Sequence, residues 1–153
     1  MKAIAVFIFS LFLLSACKKS NNNPYSIWYV NGQKYSSNDV YVDVGKGETD
    51  FATNSFKTGF GFTFDPVYYG DMPLKLDCTP QSAPHVCFGV YYNDTGYSAK
   101  TDIARYINKV TVKKGLTQYT LDSTWLFNVY NFQDSVFKDS ILVYGVFNEP
   151  YSD

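Results

Sequence analysis

Residues 56–65 read Phe-Lys-Thr-Gly-Phe-Gly-Phe-Thr-Phe-Asp, a period of two that a helix cannot use. Successive side chains of a strand point to opposite faces, so Phe56, Thr58, Phe60, Phe62 and Phe64 share one side. Lys57, Gly59, Gly61, Thr63 and Asp65 share the other. Two glycines on the outward side either accept rings from a neighbouring strand or let this strand curve. Aromatic residues make up 19 % of the chain, and its acids are aspartates apart from Glu48 and Glu149. Aromatics suit half-buried strands and Asp suits turns, so the composition leans towards β structure.

The rest of the chain repeats this signal in short pieces. Ser26–Val30, Asn31-Gly32 and Gln33–Ser36 form a hairpin, because Asn-Gly supplies the positive φ angles of a type I′ turn. Val30 should then pair with Gln33 and Trp28 with Tyr35, with Tyr29 and Lys34 on the opposite face. Val40, Val42 and Val44 alternate with Tyr41 and Asp43. Leu74, Leu76 and Cys78 alternate, as do Val86, Phe88, Val90 and Tyr92, closed by Asn93-Asp94-Thr95-Gly96. Val110 and Val112 lead through Lys113-Lys114-Gly115 into Leu116–Leu121. Trp125–Tyr130 and Lys138–Phe147 follow, and Ile141–Tyr144 lacks alternation, as a strand covered on both faces would. Ser98–Ile107 offers only a weak helical turn. About ten short strands at hairpin spacing predict an all-β domain. The two architectures expected are an antiparallel, immunoglobulin-like β-sandwich, slightly favoured, and a flattened barrel.

The N-terminus differs in kind. Met1-Lys2 is followed by an apolar run, Ala3–Leu14, broken only by Ser10, and then by Ser15-Ala16-Cys17. The run is shorter than the roughly 20 residues a spanning helix needs, and it stops at Lys18-Lys19. A charged start, a short apolar core and small residues before a cut site make an export signal over residues 1–16. Leu14-Ser15-Ala16-Cys17 resembles the lipobox of bacterial lipoproteins. That resemblance implies a diacylglyceryl group on the Cys17 thiol, cleavage before it, and acylation of the new amine. At about 0.8 kcal/mol per buried methylene, several acyl chains on one residue hold a protein to a bilayer without help from its fold. Residues 17–24 form the lipidated cysteine and a polar tether, and residues 25–153 a single β domain. In enterobacterial lipoproteins an Asp after the cysteine retains the protein at the inner membrane. Lys18 stands there in this chain, which by resemblance implies the outer membrane, facing the periplasm or the cell surface. The lipobox, the Asn-rich tether and the Val30–Gln33 hairpin together look like the many small β-rich lipoproteins of Gram-negative outer membranes. That likeness carries no active site with it.

Chemistry is scarce. Lys2 leaves with the leader, taking 13 basic side chains to 12 against 14 acids. A weakly acidic chain without a basic block has no electrostatic footprint for nucleic acid. Cys78 and Cys87 remain as an even pair flanking a turn-rich loop, and a disulfide is expected between them in an oxidising compartment; two buried thiols are the competing reading. His85, the single histidine, lies in that loop without a Gly-x-Ser-x-Gly elbow, so no catalytic triad is expected. One histidine cannot complete a tetrahedral zinc site. Asp43–Asp50 groups three acids around two glycines but departs from an EF-hand loop, and an acidic hairpin turn is the better reading. No metal or cofactor is therefore expected.

Tyr68-Tyr69 in a loop and Tyr91-Tyr92 at a strand end each turn one ring outward, as sugar-stacking surfaces do; cross-strand packing is the competing reading. Asp122-Ser123-Thr124, Asp134-Ser135-Val136 and Asp139-Ser140-Ile141 resemble an O-glycosylation signal of exported proteins in some Gram-negative bacteria, which implies Ser123, Ser135 and Ser140 as acceptors. Asp-Ser is also ordinary turn chemistry. The expectation is a non-enzymatic, membrane-anchored binding or accessory domain whose partner is a glycan or an envelope protein. A carbohydrate-binding module would change the emission of Trp28 or Trp125 on binding. A barrel holding an apolar ligand would need an interior cavity.

Overall fold

A computed structural model describes residues 23–44, 49–53, 55, 57–64, 70–78, 85–99, 105–112, 116–129 and 139–150. Eleven strands follow one another: β1 (Ser26–Val30), β2 (Gln33–Ser37), β3 (Val40–Val44), β4 (Thr49–Thr53), β5 (Thr58–Phe64), β6 (Met72–Leu76), β7 (His85–Tyr92), β8 (Thr95–Ser98), β9 (Tyr106–Thr111), β10 (Thr117–Asn128) and β11 (Ser140–Asn148). Among the described residues, no helix is long and apolar enough to cross a membrane.

The first hairpin forms as its chemistry dictates. Asn31 and Gly32 have φ of 50° and 83°, the left-handed pair that a type I′ turn requires. Val30 pairs with Gln33, Tyr29 with Lys34 and Trp28 with Tyr35. Asn93 and Asp94, at φ 48° and 59°, turn β7 into β8 in the same way. Asn31 also ties its turn to the last strand. Its Oδ1 accepts the Leu142 N–H at 2.9 Å, and its own N–H donates to the Leu142 carbonyl at 2.9 Å.

Hydrogen bonds link the strands in the order β2-β1-β11-β10-β9-β6-β7-β5-β4-β3, and β8 pairs with both β10 and β7. The short β8 therefore closes a ring, β7-β8-β10-β9-β6. From β7, the strands β5, β4 and β3 extend as one layer; from β10, the strands β11, β1 and β2 extend as another. Ring contacts bring the layers face to face. Phe60 of β5 meets the Trp28 ring edge-on at 5.3 Å and the Phe147 ring at 4.7 Å. Phe62 meets Tyr119 at 5.0 Å and Phe147 at 5.3 Å. The fold is a flattened barrel with sandwich-like wings, and so combines both expected architectures.

Four local features depart from the expected pattern. Pairing is antiparallel except between β6 and β7, which run parallel with Lys75 opposite His85 and Leu76 opposite Val86. The Cys78–Cys87 bond fastens that return of the chain. Asp122-Ser123, expected as a break between strands, is instead a bulge inside one long β10, where the register shifts between Leu121 and Thr124. The Thr124 hydroxyl donates to the Asp122 carbonyl at 2.9 Å and satisfies the backbone there. Within Ile141–Tyr144 of β11 only Ile141 and Val143 are buried, while Leu142 and Tyr144 are half-buried on the outer face. In β3, Val40 is buried but Val42 and Tyr41 are both exposed, because β3 ends the hydrogen-bonded path and has one neighbour only. Of the weak helical turn, Ser98 ends β8 and Ile107 lies within β9; residues 100–104 are outside the described set.

The core consists of Trp28, Phe51, Phe62, Phe88, Tyr119 and Phe147 with Leu, Ile and Val around them. Edge-to-face and offset ring pairs contribute about 0.5–1.5 kcal/mol each beyond the area they bury. Tyr119 carries a polar group into this core, and its hydroxyl donates to Glu149 Oε1 at 2.5 Å. Burial first, and then the Glu149 carboxylate, push the Tyr119 phenol far above its ordinary value. Burial and Asp139 raise Tyr97, and burial and Tyr92 raise Tyr35.

A phenol held neutral in the fold ionises near 10.0 once the chain unfolds. Its stabilising contribution is complete below about pH 10 and is lost as pH rises beyond that value. Thermal melts from about pH 8 to pH 11 should follow this course. Tyr119→Phe should cost about 1.5 kcal/mol at neutral pH for the lost charged hydrogen bond. Its alkaline decline should be shallower than that of the wild type but not absent, since Tyr35 and Tyr97 shift in the same direction. An equally steep decline in the variant would place the titrating group elsewhere.

Candidate functional site

The outward side of the first layer is floored by very small residues. Ala52 stands opposite Gly61, Gly61 opposite Gly89, and Gly89 opposite Ser98. One row of the pleat therefore crosses β4, β5, β7 and β8 almost without side chains, for roughly 14 Å at about 4.8 Å per strand. The adjoining rows are taller. Tyr91, opposite Gly59 and Gly96, rises on one side, and Thr63 is opposite Cys87 on the other. Val129 closes the Gly96 end, its Cγ2 lying 3.3 Å from where a Gly96 Cβ would be. The result is an open groove of about 440 Å³ with a backbone floor, an aromatic wall and a largely apolar lining.

Glycine weakens a strand by up to about 1 kcal/mol, so each one here needs a reason. A side chain at Gly59 would strike Thr53 Oγ1 and come within 2.7 Å of the Ser55 carbonyl. That Thr53 oxygen is fixed by accepting the Phe60 N–H at 3.2 Å. Gly89 faces the Tyr97 carbonyl at 3.2 Å, and in the other layer Gly145 lies under the β1 backbone, with Ile27 O at 2.6 Å. Of the β5 glycines, expected either to receive neighbouring rings or to let the strand curve, Gly59 stands opposite Tyr91 but has Thr53 and Ser55 as its nearest neighbours. Gly61 differs from Gly59, Gly89 and Gly145. Its φ is not positive, and the nearest atom to its Cβ position is the Ala52 Cβ at an ordinary 3.7 Å. Among the described strand glycines it alone has no steric or backbone reason to be glycine.

The residues singled out in the sequence fall as follows. Tyr91 is 39 % exposed and walls the groove. Tyr92 turns inward instead, half-buried, its ring edge-on to Tyr35 at 6.2 Å. Tyr68 and Tyr69 lie outside the described residues, as do Cys17 and Ser135. Cys78 and Cys87 are bonded to each other. That crosslink removes about 2.5–3 kcal/mol of loop entropy from the unfolded chain, and it points to an exported protein in an oxidising compartment. Ser123 is exposed on the β10 bulge. Ser140 is half-buried at the start of β11, beside an Asp139 carboxylate that accepts from Tyr97 at 3.0 Å and Asn128 at 2.9 Å.

His85 is buried in β7. Asp43 faces Asp50 across β3 and β4, Asp50 accepts the Thr63 hydroxyl at 2.6 Å, and residues 45–48 are outside the described set. Among the described residues no three His, Cys, Asp or Glu side chains converge as a metal site. Among the described residues, ring contacts run across the space between the layers, whereas the groove opens on the outside. Sequence reasoning noticed Gly61 but not the groove. The available signal was a second outward glycine, Gly89, on another strand; only the register makes the two adjacent. Comparison with protein-family models, curated proteins and solved structures finds no match for this chain.

Gly61→Val should fold and be as stable as wild type or more so, by up to about 1 kcal/mol. Gly59→Val has to displace the Ser55 backbone and should lose about 1–3 kcal/mol. Denaturant titration of the two variants tests the contrast. A destabilised Gly61→Val would mean that the residue serves the fold rather than the groove.

Proposed function

We propose that this chain is a lipid-anchored protein of a Gram-negative outer membrane whose β domain is a non-enzymatic binding module. The glycine-floored groove is its binding site. Gly61 carries this reading: a strand position that could hold a stabilising β-branched residue is left empty, which is what close approach of a ligand to the backbone requires. Attachment rests on Leu14-Ser15-Ala16-Cys17, and the Cys78–Cys87 crosslink is consistent with export. Hydrocarbon on Cys17 supplies the membrane affinity and leaves the domain surface free for recognition.

The ligand class that suits the groove is a glycan. A pyranose lying on the Gly61–Gly89 floor can set its apolar face against the Tyr91 ring, a wall tall and flat enough to receive it. The ring-filled interior favours this outer surface over a ligand held inside the barrel.

The test uses full-length wild-type and Gly61→Val protein, sedimented with purified peptidoglycan sacculi and run through gels containing soluble envelope polysaccharide. The wild type should be retained, and Gly61→Val should bind about tenfold more weakly, a difference of about 1.4 kcal/mol. Equal retention of the variant sinks the groove as the site, and indifference of the wild type to both polymers sinks the glycan class. Labelled palmitate should enter the wild type and not Cys17→Ser, which should leave the membrane fraction. Cys17→Ser protein that stays as firmly attached would overturn the anchor.

A further inference from the structure

The second layer also has an outer face, formed by β1, β11 and β10. On it Ile27 is opposite Val146, Tyr29 opposite Tyr144, and Leu142 opposite Trp125. Their alternates Trp28, Val143 and Leu126 are buried, so these side chains point away from the core. Tyr29 and Tyr144 stack at 4.7 Å with planes 9° apart. Tyr25 is 59 % exposed and Trp125 50 %. A shallow depression of about 480 Å³ lies among Tyr25, Ile27, Tyr29, Tyr144 and Val146. Contiguous apolar surface of this kind marks a contact with something other than water.

The start of the domain indicates with what. Tyr25 precedes β1 directly, and its carbonyl accepts the Asn148 side-chain amide at 2.9 Å. Next to it, the Asn148 N–H donates to Ser26 Oγ at 2.8 Å. The point where the tether meets the domain is therefore pinned at the rim of this aromatic face. Seven residues separate Cys17 from Tyr25, a reach of roughly 25 Å at most. Acyl chains on Cys17 keep that rim within the same distance of lipid headgroups. Tyr and Trp are the side chains that settle at a membrane interface, ring in and polar tip out. Lys34, opposite Tyr29, and Lys18-Lys19 add cations suited to anionic headgroups. Asp122, exposed three residues before Trp125, keeps such a contact at headgroup depth.

We infer that the outer face of β1, β11 and β10 is a membrane-docking surface, on which the anchored domain lies with Tyr25, Tyr29, Tyr144 and Trp125 at the lipid interface. This rests on the lipid anchor of the proposed function, and it turns the glycine-floored groove of the opposite layer away from the bilayer.

The experiment reconstitutes the full-length protein, its acyl groups confirmed by intact mass, into phosphatidylethanolamine–phosphatidylglycerol vesicles, with Trp125→Phe as the control that leaves only core Trp28. Iodide quenching of the Trp125 component should fall about threefold from the unacylated Cys17→Ser protein in solution to the acylated protein on vesicles, as for a ring withdrawn into the interface. Brominated lipids should quench that component and leave Trp28 unaffected. A lipidated chain whose Trp125 stays open to iodide on vesicles overturns the docking surface and leaves the anchor standing. An intact mass without acyl groups overturns the anchor and this inference with it. Protection that arises without vesicles as protein concentration rises assigns the face to a second copy. Protection on adding soluble polysaccharide assigns it to a glycan, and either result overturns the lipid reading.

Discussion

The interlock of Phe60 and Phe62 with Trp28, Tyr119 and Phe147 makes two strips of strand into one body. Among the described residues hydrogen bonds join the layers along one side only, where β8 bridges β7 to β10 and the β6–β9 pair does the same. On the other side β2 and β3 are the two ends of the path, and no ladder connects them. What holds the wings together there is side-chain contact: Trp28 against Phe60 and, nearer the rim, Tyr35 against Tyr92. Rings suit the task because edge-to-face pairs are directional and fix the angle between layers, which aliphatic packing does less well.

Large side chains inside have a counterpart outside. The strand that sends Phe60, Phe62 and Phe64 inward sends glycine and threonine outward. One surface thus gives up packing to expose its backbone, while the opposite surface gathers aromatic rings around the stacked Tyr29–Tyr144 pair. The two faces differ in relief and in chemistry.

Much of this arrangement was legible in the chain. Asn31-Gly32 specified its turn and the Trp28–Tyr35 register because the backbone angles it favours leave one pairing only. The alternation in β5 gave its inner face for the same local reason. Facts that depend on distant partners were not legible. Gly61 and Gly89 become neighbours through pairing of β5 with β7; the reason for Gly59 is local, but it shows only once Thr53 at the end of β4 and Ser55 just beyond it fold back on that position. The Asp122-Ser123 bulge looks like a turn because the same small polar residues serve both purposes. Tyr91 and Tyr92 were known to diverge, but which ring faced out depended on the layer packed against β7.

The central place of β11 bears on when the chain can become a folded body. It lies between β1 and β10, and the bond from Asn148 to Ser26 spans 122 positions. A lone two-stranded hairpin is marginal in water. Until the C-terminal strand arrives, β1 and β2 have no layer to join, and the phenylalanines of β5 have no Phe147 to meet. Such long-range closure is slow compared with local folding. A polypeptide that has to be threaded through a translocation pore gains from that delay, since the domain stays extended until β11 has passed.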